Sequence, residues 1–333
     1  MTTLTRPRIL SGMRPTGPLH IGHLVGALEN WVRLQSTHEC FFAIVDWHAL
    51  TTEYADPSRI RANVREIALD WLAAGIDPER SDVFVQSAVK EHAELHLLLS
   101  MIVPLGWLER VPTYKDQQEQ LKETRDLHTY GFLGYPLLQA ADILAYKAGF
   151  VPVGEDQVPH LEMCREIARR FNNLYGEIFP EPQALLTSTP RVPGLDGRKM
   201  GKTFGNAVFL SENRADIDEK ILRRMVTDPA RKRRNDPGNP DICPVFDLHE
   251  VFSSPEERAW ADAGCRSAGI GCVECKSKLL GNLHARLEPL RARRAELEKD
   301  PQAVDAILSR GATKAREVAT STLAEVRSAI GLG

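Results

Sequence analysis

The feature that most constrains the fold is an alternation in the first half of the chain, where short apolar runs are separated by stretches of helical periodicity. Phe41-Phe42-Ala43-Ile44-Val45 is continuously apolar, as a strand is when both of its faces are covered in a parallel sheet. Val83-Phe84-Val85 and Phe150-Val151-Pro152-Val153 have the same character. Arg8-Ile9-Leu10-Ser11 is a shorter strand candidate that leads into the turn-rich Arg14-Pro15-Thr16-Gly17-Pro18. Between these runs, Ser58 to Ala74 places Ile60, Val64, Ile67, Ala68 and Trp71 on one helical face. The alternation predicts an α/β fold with a parallel sheet, and a mixed α+β arrangement is the alternative.

After about residue 206 the pattern changes, which divides the chain into an α/β domain over 1–206 and a helical domain over 207–333. Asp216 to Met225 reads as a helix, and the proline-rich, basic stretch from Thr227 to Pro244 reads as a loop. Cys275 to Lys299 carries Leu279, Leu283, Leu287, Leu290 and Leu297 at core spacing, with Pro289 expected to kink the helix. Ala315, Val318, Thr322, Val326 and Ile330 mark a final helix.

Composition narrows the function. Lys and Arg number 42 against 45 acidic residues, a formal charge of −3, which excludes a protein that coats a polyanion wholesale but leaves room for a local basic patch. The most apolar stretch, Leu95 to Leu108, is short and broken by His96, Ser100, Pro104 and Gly106, so no membrane span is expected. The N-terminus lacks the apolar run of a signal peptide, and a cytoplasmic location with reduced thiols is expected. Cysteines are then read as core residues, ligands or catalytic groups before disulfides. Cys40 and Cys164 fit packing roles, whereas Cys243, Cys265, Cys272 and Cys275 are bunched as C-x21-C-x6-C-x2-C. Four thiolates suit zinc or an iron–sulfur cluster, and four unliganded structural cysteines are the bland alternative.

Two short motifs carry chemistry. His20-Ile21-Gly22-His23 follows the first strand candidate at the start of a helix, where backbone N–H groups favour an anion and two imidazoles three apart share one face. Gly194 to Thr203 is a polar, glycine-rich loop with Lys199 and Lys202 three apart, suited to closing over a triphosphate. Alone, the first motif would pass for cap histidines and the second for a solvated linker. Asp142 follows an apolar stretch and is expected to be buried, where a lone carboxylate needs partners. A ligand N–H would serve, as would a helix cap or structural ion pair. Asp156 and Gln157 sit at a strand end, where open parallel sheets bind ligands.

Together the two motifs resemble the paired signatures of class I aminoacyl-tRNA synthetases; the first reads HIGH in full and the second KMGKT, with Gly201 and Thr203 where the family usually has serine. Over essentially the whole chain, including Asp46-Trp47-His48-Ala49, the sequence is similar to bacterial tryptophanyl-tRNA synthetases of the type carrying an iron–sulfur cluster. The resemblance implies a Rossmann-type catalytic domain, an anticodon-side helical domain, tRNA(Trp) as partner and a homodimer. It implies that His20, His23, Lys199 and Lys202 are catalytic, and that Arg14, Thr16, Gly22, Asp156 and Met200 join His23 and the two lysines around ATP. Mg²⁺ would travel with the nucleotide phosphates. Asp142 would accept the indole N–H of tryptophan, with Leu10, Gly12, His48, Tyr135, Gln139 and Gln157 around the ring. Gln139 stands where many relatives carry methionine, and Leu10 where some carry phenylalanine. The four bunched cysteines would hold a [4Fe–4S] cluster, with Zn²⁺ as the alternative. Arg223, Arg224, Arg231, Lys232, Arg233 and Arg234, with Arg286, Arg291, Arg293 and Arg294 further on, are expected phosphate contacts for tRNA. Three rivals remain: a tyrosine enzyme of the same fold, a silent paralogue that binds tRNA or senses redox state, and a small-molecule nucleotidyltransferase.

Overall fold

A computed structural model describes residues 6–111, 126–186, 192–202 and 204–333. Its sheet has five strands, β1 (Arg8–Met13), β2 (Glu39–Ile44), β3 (Ser81–Val85), β4 (Phe150–Val153) and β5 (Gln183–Leu186). They are ordered β3-β2-β1-β4-β5, and every pairing is parallel. Ile9, Phe41, Phe42, Ala43, Ile44, Val83 and Phe84 are all buried, as continuous apolar runs require of a sheet covered on both faces. β5 was not expected, because Gln183-Ala184-Leu185-Leu186 is a half-exposed edge strand with no apolar alternation.

The strand order reverses at β1, which has β2 on one side and β4 on the other. Ligands bind in such sheets at this reversal, beyond the carboxyl ends of the strands. Here that crevice lies beyond Met13 and Val153.

Helices cover both faces. The principal ones in chain order are α1 (Asp46–Glu53), α2 (Ile60–Ala74), α3 (Glu91–Ser100), α4 (Tyr135–Ala145), α5 (Val158–Tyr175), α6 (Pro244–Phe252), α7 (Cys272–Lys299) and α8 (Pro301–Ala329). α2 stops at Gly75, whose φ of 109° is open to glycine at little cost. Asp216 to Met225 forms a helix over Arg214–Glu219 and a π-type turn over Lys220–Arg224. α7 starts at Cys272 and runs through Pro289. Its Leu279, Leu283 and Leu287 share one core with Ile67 and Trp71 of α2. α8 returns to the sheet. A Cβ at Gly311 would lie 2.1 Å from the carbonyl oxygen of Val83, so the glycine admits the helix onto β3. Ala312, Ala315 and Ala319 then join Phe84 in the second core. The compositional change near residue 206 is therefore crossed by packing on both faces. No helix among the described residues is long and apolar enough to cross a membrane.

Candidate active site

β1 delivers the chain to the crevice at Met13, and the turn after it leads into Ile21–His23. The main chain of this segment is pinned to residues that follow the lysine loop: Ile21 N–H donates to Val208 O at 3.0 Å and Leu210 N–H to Leu19 O at 2.8 Å. The two imidazoles stack with ring centroids 3.7 Å apart. His20 N–H donates to His23 Nδ1 at 3.1 Å, which leaves the His23 ring proton on Nε2 in the neutral form. A Cβ at Gly22 would sit 2.9 Å from His20 Nδ1, so glycine here lets the first imidazole lie flat over the turn. Burial and then the Lys202 ammonium push His20 down to about 4. Burial, His20 and Lys202 push His23 down to about 2, against the backbone hydrogen bond from His20. Both rings are thus neutral donors near pH 7, and His20 Nδ1 is buried with no hydrogen-bond partner among the described residues.

The lysine loop already reaches this motif. Lys202 Nζ donates to the carbonyl of Gly17 at 2.8 Å, and burial lowers its pKa to about 8, with Asp70 opposing and Arg14 adding to the shift. Lys199 is exposed. Met200, expected near ATP, buries its side chain in the core at 5% exposure and anchors the loop. Asn206, which sequence reasoning missed, is the loop's organiser. Its Oδ1 accepts Gly201 N–H at 3.0 Å, and its Nδ2 donates to Asp196 Oδ1 at 2.8 Å and to Lys199 O at 3.2 Å. Gly201 has a local reason, since a Cβ there would lie 2.7 Å from the Phe204 ring. Thr203 lies outside the described residues, as does the side chain of Asp156.

Beside the motifs, a cavity of about 390 Å³ is lined by Leu10, Gly12, Arg14, His48, Tyr135, Gln139, Asp142 and Gln157, a size typical of small-molecule sites. The structure thus gathers all seven residues expected around the indole, from β1, α1, α4 and the turn before α5. Gly12 is required by its neighbour, because a Cβ would meet Ala43 O at 2.6 Å. Tyr135 and His160 face each other with centroids 5.5 Å apart; His160 also lines the cavity and was not foreseen.

Asp142 is buried at 3% exposure and is already partnered. Oδ2 meets His48 Nε2 at 3.0 Å, and Oδ1 meets His92 Nδ1 at 2.6 Å. Gln86 Nε2 lies 2.8 Å from both oxygens. His92 is held from behind by the Tyr146 hydroxyl at 2.6 Å. Burial alone would raise this carboxyl, but His92 and His48 outweigh it and hold it well below the usual carboxylate range. A fixed, ionised acceptor at the cavity wall is what a buried N–H donor needs. Gln86 and His92 could not be foreseen, being 56 and 50 residues away in sequence.

The bunched cysteines all lie in the helical region. Cys243 precedes α6, Cys265 lies in the helix Pro255–Arg266, and Cys272 and Cys275 open α7. Burial and the other three cysteines push the Cys275 thiol up to about 12. Arg231 Nη1 lies 3.7 Å from Cys265 Sγ, and His249 Nε2 lies 3.4 Å from Cys275 Sγ. Among the described residues no group of three or more His, Cys, Asp or Glu is drawn together tightly enough to hold a metal ion. Cys40 and Cys164 are both buried at 1% exposure.

Several expected phosphate contacts are engaged elsewhere. Arg231 is buried and donates to the carbonyls of Arg234 and Ile270. Arg286 pairs with Glu29, Arg293 donates to Ala73 O at 2.6 Å, and Arg294 is buried among carboxylates. Arg223, Arg224, Lys232 and Arg233 are exposed.

A parallel sheet with histidine and lysine motifs meeting at its topological reversal defines a class of nucleotide-activating enzyme, and comparison with known proteins narrows it. Residues 2–288 match the family described as tRNA synthetases class I (W and Y), and the chain belongs to that family. It is 57% identical to the tryptophan–tRNA ligase of Thermotoga maritima over 98% of this chain and 99% of that protein. Identity to the tryptophan–tRNA ligase of Ralstonia nicotianae is 49%, covering 98% of each. Among solved structures, tryptophanyl-tRNA synthetase from Campylobacter jejuni, complexed with ADP and tryptophan, superposes with a TM-score of 0.88. It has 34% identity and covers 98% of this chain and 100% of that one.

Proposed function

We propose that the cavity takes L-tryptophan with its indole directed at Asp142, and that ATP lies across the histidine and lysine motifs. The activity is that of a tryptophan–tRNA ligase: ATP-dependent formation of tryptophanyl-adenylate, followed by transfer to tRNA(Trp). The observation that carries the pocket assignment is the buried, ionised Asp142 on the wall of the cavity beside both motifs. With His48, His92 and Gln86 on its oxygens, the indole N–H takes the place of His48 Nε2, the partner that also lines the cavity. An acceptor dedicated to a buried donor rejects phenylalanine strongly, because it would be left unpaired.

In the first step a carboxylate oxygen of tryptophan attacks the α-phosphorus of ATP, and pyrophosphate leaves. No covalent enzyme intermediate is needed, so catalysis rests on positioning and on donors aimed at developing charge. His20 and His23, both neutral, donate to phosphate oxygens without the cost of burying a cation. Lys199 and Lys202 hold the departing pyrophosphate, Lys202 by leaving Gly17 O. Arg14, Thr16, Gly22 and the main chain at Met200 border the nucleotide, with Asp156 assigned to the tryptophan ammonium or the ribose. Mg²⁺ arrives with the ATP phosphates. In the second step a hydroxyl of the terminal tRNA ribose attacks the adenylate carbonyl, and AMP leaves.

The four cysteines are assigned to a [4Fe–4S] cluster. Their number and all-thiolate chemistry support it, since four thiolates suit such a cluster. Cys243, Cys265, Cys272 and Cys275 would hold the cluster, which would brace the loop before α6 against α7. Brown protein with broad visible absorbance after anaerobic purification is expected; colourless protein with stoichiometric zinc would reverse the assignment. Exposed Arg223, Arg224, Lys232 and Arg233 are assigned to tRNA phosphates. A homodimer in the cytoplasm completes the reading, supported by exposed Leu97, Met101 and Leu105 along and just after α3.

The deciding experiment is ATP–pyrophosphate exchange with each of twenty amino acids. Exchange driven by tryptophan is expected. Exchange driven by tyrosine would move the chain to the other branch of its family.

A further inference from the structure

Asp70 lies on α2 with no solvent exposure. Its Oδ2 accepts Leu19 N–H at 3.1 Å, the donor immediately before His20. Its Oδ1 accepts from Arg294 Nη1 on α7, 224 residues away in sequence. That guanidinium is itself 8% exposed and is held on its remaining edges by Glu66 Oε2 at 2.6 Å and Glu298 Oε1 at 2.9 Å. Asp70 also favours the charged form of Lys202 on the lysine loop. One buried carboxylate therefore serves the main chain of the first motif, an ammonium of the second, and a cation on the long helix of the helical region.

Packing alone does not call for this arrangement. Burying a carboxylate and a guanidinium is costly, and a pair of well-packed apolar side chains often does as well or better. What an apolar side chain cannot do is accept the Leu19 N–H. The pairing of Leu19–Ile21 with Val208–Leu210 sets the height of this segment, and the carboxylate sets its direction. A rigid acceptor behind a main-chain N–H fixes the rotation of the peptide that launches His20.

We propose that Asp70, clamped by Arg294, is a positioning residue for ATP activation that aims the His20 imidazole and ties α7 of the helical region to the nucleotide site. The proposal rests on the reading of His20, His23 and Lys202 as ATP ligands. Asp70 touches none of the reacting atoms. It acts through Leu19 and His20 on one side and through charge on Lys202 on the other, so its loss raises the barrier to adenylate formation and spares the tryptophan cavity, which it does not line.

The test is tryptophan-dependent pyrophosphate exchange on the full chain, with kcat, KM for ATP and tryptophan affinity measured separately for Asp70→Asn, Arg294→Gln, Arg294→Lys and the Asp70→Asn/Arg294→Gln double variant. Melting temperatures place every assay well below unfolding. Asp70→Asn is expected to lower kcat by about 10²-fold, the scale of a ~1 Å misplacement, with tryptophan affinity within about twofold of the wild type. Arg294→Gln is expected to move kcat in the same direction, Arg294→Lys to restore part of it, and the double variant to be no worse than Asp70→Asn alone, as for residues acting in one unit. An unchanged kcat in Asp70→Asn, a parallel loss of tryptophan affinity, or additive losses in the double variant would each overturn the proposal. If Asp70→Asn does not fold, the contrast between Arg294→Lys and Arg294→Gln decides. His20→Ala is the control for the underlying reading: if it leaves exchange intact, the ATP assignment fails and this proposal with it. If it abolishes exchange while the Asp70 and Arg294 variants are silent, this proposal fails alone.

Discussion

The two parts of the proposed site, the cavity and the motifs beside it, are built on opposite principles. In the proposed tryptophan cavity, Asp142 of α4 is held by side chains from α1 and α3, with Gln86 from the turn after β3. It is buried, and His92 and His48 hold it in the charged form. At the proposed nucleotide site the lysines ride on a loop, Lys199 is exposed, and among the described residues Lys202 donates to the Gly17 carbonyl, a contact that a phosphate can replace. The difference teaches how recognition and chemistry are divided. Selecting an indole needs an acceptor that cannot relax toward the wrong ligand, whereas stabilising charge that develops on phosphates needs donors brought in with the substrate.

The largest way to break this contrast is at Asp142. Asp142→Asn is expected to lower tryptophan kcat/KM by about three orders of magnitude, the scale for a site deprived of its dedicated hydrogen bond, while leaving ATP affinity unchanged. Steady-state exchange with each substrate varied in turn measures both. A smaller effect is expected at Asn206. Asn206→Ala removes three loop contacts, each worth about 1 kcal/mol, and should raise KM for ATP and speed proteolysis of the loop without touching tryptophan affinity.

The smallest effect is on stability against pH. His20 takes up a proton near 6.5 when unfolded but only near 4 in the folded chain. Below pH 6.5 the unfolded state therefore binds more protons, so the contribution of a neutral His20 is fully present above pH 6.5 and is lost as pH falls from there toward 4. Thermal melts between pH 7 and 5 should show a fall in midpoint that is shallower in His20→Asn. An identical slope would mean that folding does not lower the proton affinity of the ring.

How much of this was legible in the sequence depends on contiguity. The histidine motif, the lysine loop and four of the strands are written in unbroken runs, and their chemistry or burial follows from neighbouring residues. The lining of the proposed tryptophan cavity was legible only through family resemblance, because it comes from many segments spread between Leu10 and His160. Gln86, His92, Asp70 and Asn206 were invisible for a physical reason: each acts on a partner brought near only by the fold. Arg294 was misread for a related one. On a helix pattern an arginine that snorkels into solvent and one buried among three carboxylates look alike, and only the packing of α7 on α2 separates them. β5 was missed because an edge strand need not be apolar.

The division between the two parts is tested most directly by calorimetric titration of tryptophan and of a non-hydrolysable ATP analogue into Asp142→Asn and Lys199→Ala. The expected result is a crossed pattern: Asp142→Asn loses tryptophan binding and keeps the nucleotide, and Lys199→Ala keeps tryptophan and binds the nucleotide more weakly. Loss of both ligands in either variant would contradict it.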